Sequence, residues 1–128
     1  MPSTRVSTGT WAQSRGPEIL EAVQAALVEA LKIPATDRDI VLDVFDESCR
    51  IIRPERTDYF TRVEITLFSG RSLGAKRTLY AALVLNLSAL GVPANEVKTV
   101  LIEVPAENWG LRGGVPASEI DLGFEINV

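Results

Sequence analysis

Apolar positions recur along the chain with two different periods. Between residues 17 and 31, Ile19, Leu20, Val23, Leu27, Ala30 and Leu31 fall at helical spacing, with Pro17 and Glu18 suited to a first turn. That spacing predicts a helix over 17–31. Residues 40–45 (Ile-Val-Leu-Asp-Val-Phe) and 63–68 (Val-Glu-Ile-Thr-Leu-Phe) are rich in β-branched and aromatic side chains, and they predict two strands. From Ser72, a suitable N-cap, the stripe Leu79, Leu83, Leu87 and Leu90 predicts a second helix that stops at Gly91 and Pro93. Residues 97–104 predict a further strand. At the end of the chain Ile120, Leu122, Phe124, Ile126 and Val128 alternate with Asp121, Gly123, Glu125 and Asn127, which predicts a terminal strand with one apolar and one wet face.

These elements belong to a repeat. Ala30-Leu31-Lys32-Ile33-Pro34-Ala35-Thr36-Asp37 and Ala89-Leu90-Gly91-Val92-Pro93-Ala94-Asn95-Glu96 match in kind, offset by 59 residues, and Val41-Leu42 then falls on Val100-Leu101. The same offset sets the start of a first strand near Pro2, opposite Thr61. Each half reads strand, helix, Pro-containing turn, strand, with the two strands of each β-α-β unit parallel. The expected fold is α/β, a two-layer sandwich with a four-stranded sheet and both helices on one face. Its boundaries are a single domain over 1–128, with repeat halves of about 2–60 and 61–104 and a C-terminal strand extension over 105–128. The other sheet face stays uncovered and includes apolar positions, so an oligomer that buries it is expected, with the terminal strand pairing at an edge.

Composition narrows the chemistry. The 128 residues include no His, one Cys (Cys49) and one Met, which excludes a Ser/His/Asp or Cys/His triad, a zinc cluster and an internal disulfide; no metal or other cofactor is expected. Seventeen acidic against thirteen basic residues argue against a nucleic-acid surface. The start, Met1-Pro2-Ser3-Thr4-Arg5, lacks the apolar core of a signal peptide, and no apolar run suits a bilayer, so a cytoplasmic protein without a membrane partner is expected. Glu18, Glu21 and Glu29 read as a solvated helix face, and Cys49 is assigned no reactivity.

Any base must therefore be a carboxylate, a Lys, a Tyr or the terminal amine. A penultimate Pro favours removal of Met1, which would make Pro2 a secondary amine whose pKa falls further on burial beside a cation. With Met1 retained, the same nitrogen is an amide and has no basic lone pair. Arg71, in Ser69-Gly70-Arg71-Ser72, lies where a strand ends and a helix begins, a place that favours a carboxylate ligand, although such a tripeptide is also a common solvated turn. Glu107-Asn108-Trp109-Gly110-Leu111-Arg112-Gly113-Gly114 follows the last repeat strand and reads either as a pocket wall or as a Trp-anchored loop.

The β-α-β duplication, the penultimate Pro, Gly70-Arg71-Ser72 followed by Lys76 and Tyr80, and Glu107-Asn108-Trp109-Gly110 together resemble the tautomerase superfamily. The long, fused-repeat branch that includes malonate semialdehyde decarboxylase is the most similar. The resemblance spans nearly the whole chain and implies homotrimers of fused β-α-β units. It assigns Pro2 as the catalytic acid or base, Arg71 as the carboxylate-binding arginine, and Asp37 as the aspartate that assists water or proton chemistry. Trp109 and Phe124, the latter offered by a neighbouring subunit, are expected to exclude water. Two points depart from the pattern or compete with it. Leu67-Phe68-Ser69 stands where the decarboxylase and dehalogenase branches carry a second Arg, which counts against a diacid. Asp37 beside Arg38 also suits an ordinary loop ion pair, with Glu96 its repeat equivalent.

The resemblance implies a cofactor-independent keto–enol tautomerase acting on small 2-keto or enol carboxylates. Two alternatives stand beside it. One is a decarboxylase or hydratase of a small β-keto acid, in which Asp37 activates water. The other is a trimer that kept the fold and lost catalysis, a reading to which the polar start of the first strand contributes.

Overall fold

A computed structural model describes residues 1–128 as β1 (Ser3–Thr8), α1 (Gly16–Leu31), β2 (Ile40–Val44), β3 (Thr61–Phe68), α2 (Leu73–Ser88), β4 (Val97–Val104) and a short hairpin of β5 (Gly110–Leu111) and β6 (Val115–Pro116). The four long strands form one sheet in the order β2-β1-β3-β4. Each β-α-β unit pairs its own strands in parallel, Val6 beside Leu42 and Ile65 beside Leu101, while β1 and β3 join the units antiparallel with Ser3 beside Thr66. This is the two-layer sandwich of tandem units expected from the repeat.

The core follows from the two periods. Val6 of β1 and Val63, Ile65 and Leu67 of β3 face Ile19, Val23, Leu27 and Leu31 of α1 and Leu79, Leu83 and Leu87 of α2, all sealed from solvent. Pro17 opens α1, and an ion pair of 2.9 Å joins Arg15 to Glu18. Ser72 caps α2 by accepting from the Ala75 N–H at 3.0 Å. No helix is long and apolar enough to cross a membrane. The polar start of the first strand does not keep it at an edge: β1 is an inner strand, and its Thr8 hydroxyl meets that of Thr61 at 2.9 Å.

One segment differs from expectation. Residues 120–128 form no strand. Their apolar side chains are half-buried and their polar ones exposed in alternation, yet no backbone ladder holds them; Gly123 turns the chain at φ 78°, and the Val128 carbonyl accepts from Ser72 N–H at 2.9 Å. Alternation here reports a surface lying half against the protein, without the strand partner that a ladder needs. The extension over 105–128 is thus a small hairpin, short 3-10 turns and this tail. The connection between β2 and β3 is tied to the start of the chain's first unit, for the Asp58 carboxylate accepts from the N–H groups of Thr10 at 2.9 Å and Trp11 at 2.8 Å. Glycine is required opposite it, because a Cβ on Gly9 would lie 2.1 Å from the Asp58 carbonyl oxygen.

Candidate active site

Topology brings the sequence-predicted site residues to one end of the sheet. Because β1 runs parallel to β2, the segment entering β2 lies beside the start of β1, and Thr4 N–H donates to the Asp39 carbonyl at 3.0 Å. Because β1 runs antiparallel to β3, the end of β3 and the turn into α2 reach the same place, which brings in Arg71. Because β4 is parallel to β3, the chain after β4 follows and delivers Trp109. A cavity of about 420 Å³ opens there, and Met1, Asp37, Trp109, Arg112, Leu122 and Phe124 are among its lining residues.

Pro2 is buried and its nitrogen is bonded to Met1; neither Pro2 nor Arg71 is among the residues that line the cavity. The Met1 amine stands 3.7 Å from Asp37 Oδ2, whose side chain is only 7% exposed and which has no hydrogen-bond partner. Burial pushes the amine's pKa below that of an ordinary terminus; the Asp37 carboxylate opposes the shift, and the Arg71 charge adds to it. Asp37 is held through its backbone, where its carbonyl accepts from the buried Gln24 amide at 3.0 Å. It does not pair with Arg38. That guanidinium pairs with Glu21 of α1, which leaves the Asp37 carboxylate to the amine and makes Glu21 more than a solvated position.

Arg71 is 6% exposed, between the end of β3 and the α2 cap. Its Nη1 donates to the Leu31 carbonyl at 2.9 Å and to that of Glu125 at 3.4 Å, while Nε and Nη2 have no partner. Leu31 closes α1, where unpaired carbonyls concentrate negative charge, so a buried cation is favoured there. Burial lowers the guanidinium pKa from its usual value, but a guanidinium is basic enough to stay charged. Its carbon sits 6.0 Å from the centroid of the Phe124 ring.

Phe124 therefore reaches the site within its own chain, which corrects the expected supply from a neighbouring subunit. The tail that carries it was legible as an apolar face but not as a cover for Arg71. Trp109 is both pocket wall and anchor: its ring packs on Phe68 at 4.9 Å, and its indole N–H donates to the Val104 carbonyl at 3.2 Å. Sequence reading placed Arg112 in a segment that was either pocket wall or Trp-anchored loop and Arg38 in a loop pair with Asp37; both line the cavity. The glycines after Arg112 were the available signal, since they mark a tight hairpin whose tip returns towards the site.

Comparison with known proteins agrees with this geometry. A family model described as tautomerase enzyme matches residues 37–112, more than half the chain. A probable tautomerase of Ralstonia nicotianae is 39% identical over 57 residues, which cover 44% of this chain and 80% of that protein. Among solved structures, FG41 malonate semialdehyde decarboxylase inhibited by 3-bromopropiolate superposes with a TM-score of 0.80 at 26% identity, over 89% of this chain and 92% of that one. The F6 fused 4-OT asymmetric trimer has the same fold, with a TM-score of 0.80 at 22% identity over 91% and 96% of the two chains. With family and fold in agreement, the chain is a member of the tautomerase family of enzymes.

Proposed function

We propose that the chain, once Met1 is removed, is a cofactor-independent keto–enol tautomerase of small 2-keto or enol carboxylates. The observation that carries this reading is the half-buried terminus, ion-paired at 3.7 Å with an Asp37 carboxylate oxygen that has no hydrogen-bond partner, and subject to the Arg71 charge. Removing Met1 frees the Pro2 nitrogen as a secondary amine and enlarges the cavity. The burial and the Arg71 charge that lower the Met1 amine are expected to act on the Pro2 amine exposed by trimming and to favour its neutral form.

The neutral amine takes a proton from the carbon next to the substrate carbonyl, and the prolinium returns it elsewhere on the dienolate. Arg71 holds the substrate carboxylate and draws electron density towards it. Trp109 and Phe124 exclude water and keep the local dielectric low. A cytoplasmic homotrimer is the proposed form of the enzyme; the trimeric structural neighbours and the exposed Val41, Val100 and Ile102 on the outer sheet face support the assembly.

The test uses trimmed protein, its start verified by intact mass. Pro2→Ala should lower kcat/KM for ketonisation of an enol such as enolic phenylpyruvate by about 100-fold or more, the usual scale of acid–base catalysis. Unchanged turnover would refute the mechanism.

A second reading, decarboxylation or hydration of a small β-keto acid, is favoured by the poised Asp37 carboxylate and by the decarboxylase among the structural neighbours. There the prolinium and Arg71 polarise the carbonyl while Asp37 activates water. Turnover of malonate semialdehyde that disappears in Asp37→Asn supports this reading, and its absence in the unmodified enzyme rejects it.

A further inference from the structure

Helix α1 holds both of the charges that act on the chain terminus. Leu31, its last residue, accepts from Arg71 through its carbonyl at 2.9 Å. Glu21 and Gln24, three residues apart on one side of the helix, reach the segment between α1 and β2. Glu21 pairs with Arg38, and the Gln24 side-chain amide donates to the Asp37 carbonyl at 3.0 Å. Beyond these two contacts the segment is tied to β1, for Asp39 accepts from Thr4 N–H through its carbonyl at 3.0 Å and from the Ser3 hydroxyl through its carboxylate at 2.7 Å. Asp37 Oδ2 has no hydrogen-bond partner, so its place beside the amine is set by the backbone that carries it.

Stability gives no ready account of Gln24. The residue is 4% exposed, and because a carbonyl only accepts, the bond to Asp37 fixes the amide with its Oε1 buried and unpartnered. An unmet buried acceptor offsets much of what one hydrogen bond contributes. At the 59-residue offset of the repeat, the second helix carries Leu83, fully buried in the core. The carboxylate of that unit, Glu96, is held by its own side chain, which accepts from Thr57 N–H at 3.2 Å. A buried amide thus stands in the helix of the unit whose carboxylate faces an amine.

We propose that Gln24 is a positioning residue for the terminal amine: its hydrogen bond to the Asp37 backbone carbonyl fixes how far the Asp37 carboxylate stands from that amine. Gln24 acts only through Asp37, and Glu21 supports the same segment one turn earlier on the helix. The charges facing the amine come from separate elements, Asp37 from the segment entering β2 and Arg71 from the turn into α2. Arg38, Asp39 and Arg112 stand on the cavity wall nearby, the first two engaged by Glu21 and Ser3. The proposal rests on the tautomerase reading for its effect on turnover, and on the geometry alone for its effect on the amine.

Nuclear magnetic resonance separates the two. Met1 is the only methionine, so a chain that retains it, verified by intact mass and made with isotope-labelled methionine, gives signals that report the terminal amine alone. Asp37→Asn should move the amine titration to lower pH, because the carboxylate that favours the charged form is gone. Gln24→Met, of similar length but without the donor, should reproduce about half of that shift or more and add little to it in the double variant. A titration that stays in place or moves to higher pH in Gln24→Met, even with a lower Tm, overturns the proposal, and so does full additivity in the double variant. Gln24→Asn, polar but too short for the carbonyl, should shift the titration in the same direction and serves where Gln24→Met fails to fold. On trimmed protein, Gln24→Met should also move the ascending limb of kcat/KM to lower pH. A titration that shifts as expected in a protein that isomerises no 2-keto acid refutes the reaction and leaves the role of Gln24 standing.

Discussion

Burial and two charges of opposite sign set the protonation of the terminal nitrogen. Burial and Arg71 lower its pKa, and Asp37 raises it. In the proposed mechanism the neutral Pro2 amine, set in the same surroundings, is the base, so kcat/KM should climb with pH through its pKa. Asp37→Asn removes the contribution that raises it, and the ascending limb should move to lower pH. Arg71→Gln removes one that lowers it, so the limb should move to higher pH, with KM rising as the carboxylate loses its partner. Full pH–rate profiles of the two variants check this, and shifts in the same direction would contradict the assignment. Pro2 and Arg71 were singled out in the sequence because a chain without His leaves few bases and a strand-to-helix turn is a natural anion site, and the structure buries both. The partner of Arg38 was not legible: Asp37 is its neighbour in sequence, but the helix places Glu21 within reach.

At the scale of elements, the turn into α2 and the C-terminal tail depend on each other. Gly70 has φ 125°, and a Cβ there would lie 2.6 Å from Asn127 Oδ1 and 3.2 Å from Ile126 Cγ2. Gly70→Ala should therefore cost about 1–3 kcal/mol through backbone strain and displace the tail. The expected outcome is a lower Tm together with faster proteolysis within 120–128; an unchanged melting curve with a protected tail would count against the coupling. The helices were readable from their apolar stripes, β2, β3 and β4 from their β-branched runs, and β1 only through the 59-residue offset. The tail has the strand period too, but alternation records which side is wet and says nothing about a hydrogen-bonding partner. The hairpin after β4 left a different trace, a run of glycines without periodicity.

At the scale of the whole molecule, the outer sheet face is of mixed character. Its centre holds ion pairs, Arg5 with Asp43 at 3.2 Å and Arg62 with Glu64 at 3.1 Å, while exposed Val41, Val100 and Ile102 lie on the two edge strands. Apolar edges around a polar centre suit contact from strand to strand between subunits. Ile102→Lys should convert the proposed trimer to monomers in light scattering, and a trimer that persists would place the interface elsewhere. The repeat made the architecture legible, because duplicated sequence means duplicated packing. It could not show how the halves had diverged. Asp37 keeps a carboxylate free at the terminus, whereas its counterpart Glu96 is buried and accepts from Thr57 N–H at 3.2 Å.

That divergence has a stoichiometric consequence. In the first unit the strand leading to the site begins at the chain terminus; in the second it begins at Thr61, where Tyr59 and Phe60 continue the backbone. Trimming Met1 frees the Pro2 nitrogen but leaves the Thr61 nitrogen in its peptide bond, so under the proposed mechanism the two units do not supply two catalytic centres. The proposed trimer then holds three reaction sites built from six β-α-β units, and carboxylate binding at the site should saturate at one ligand per chain.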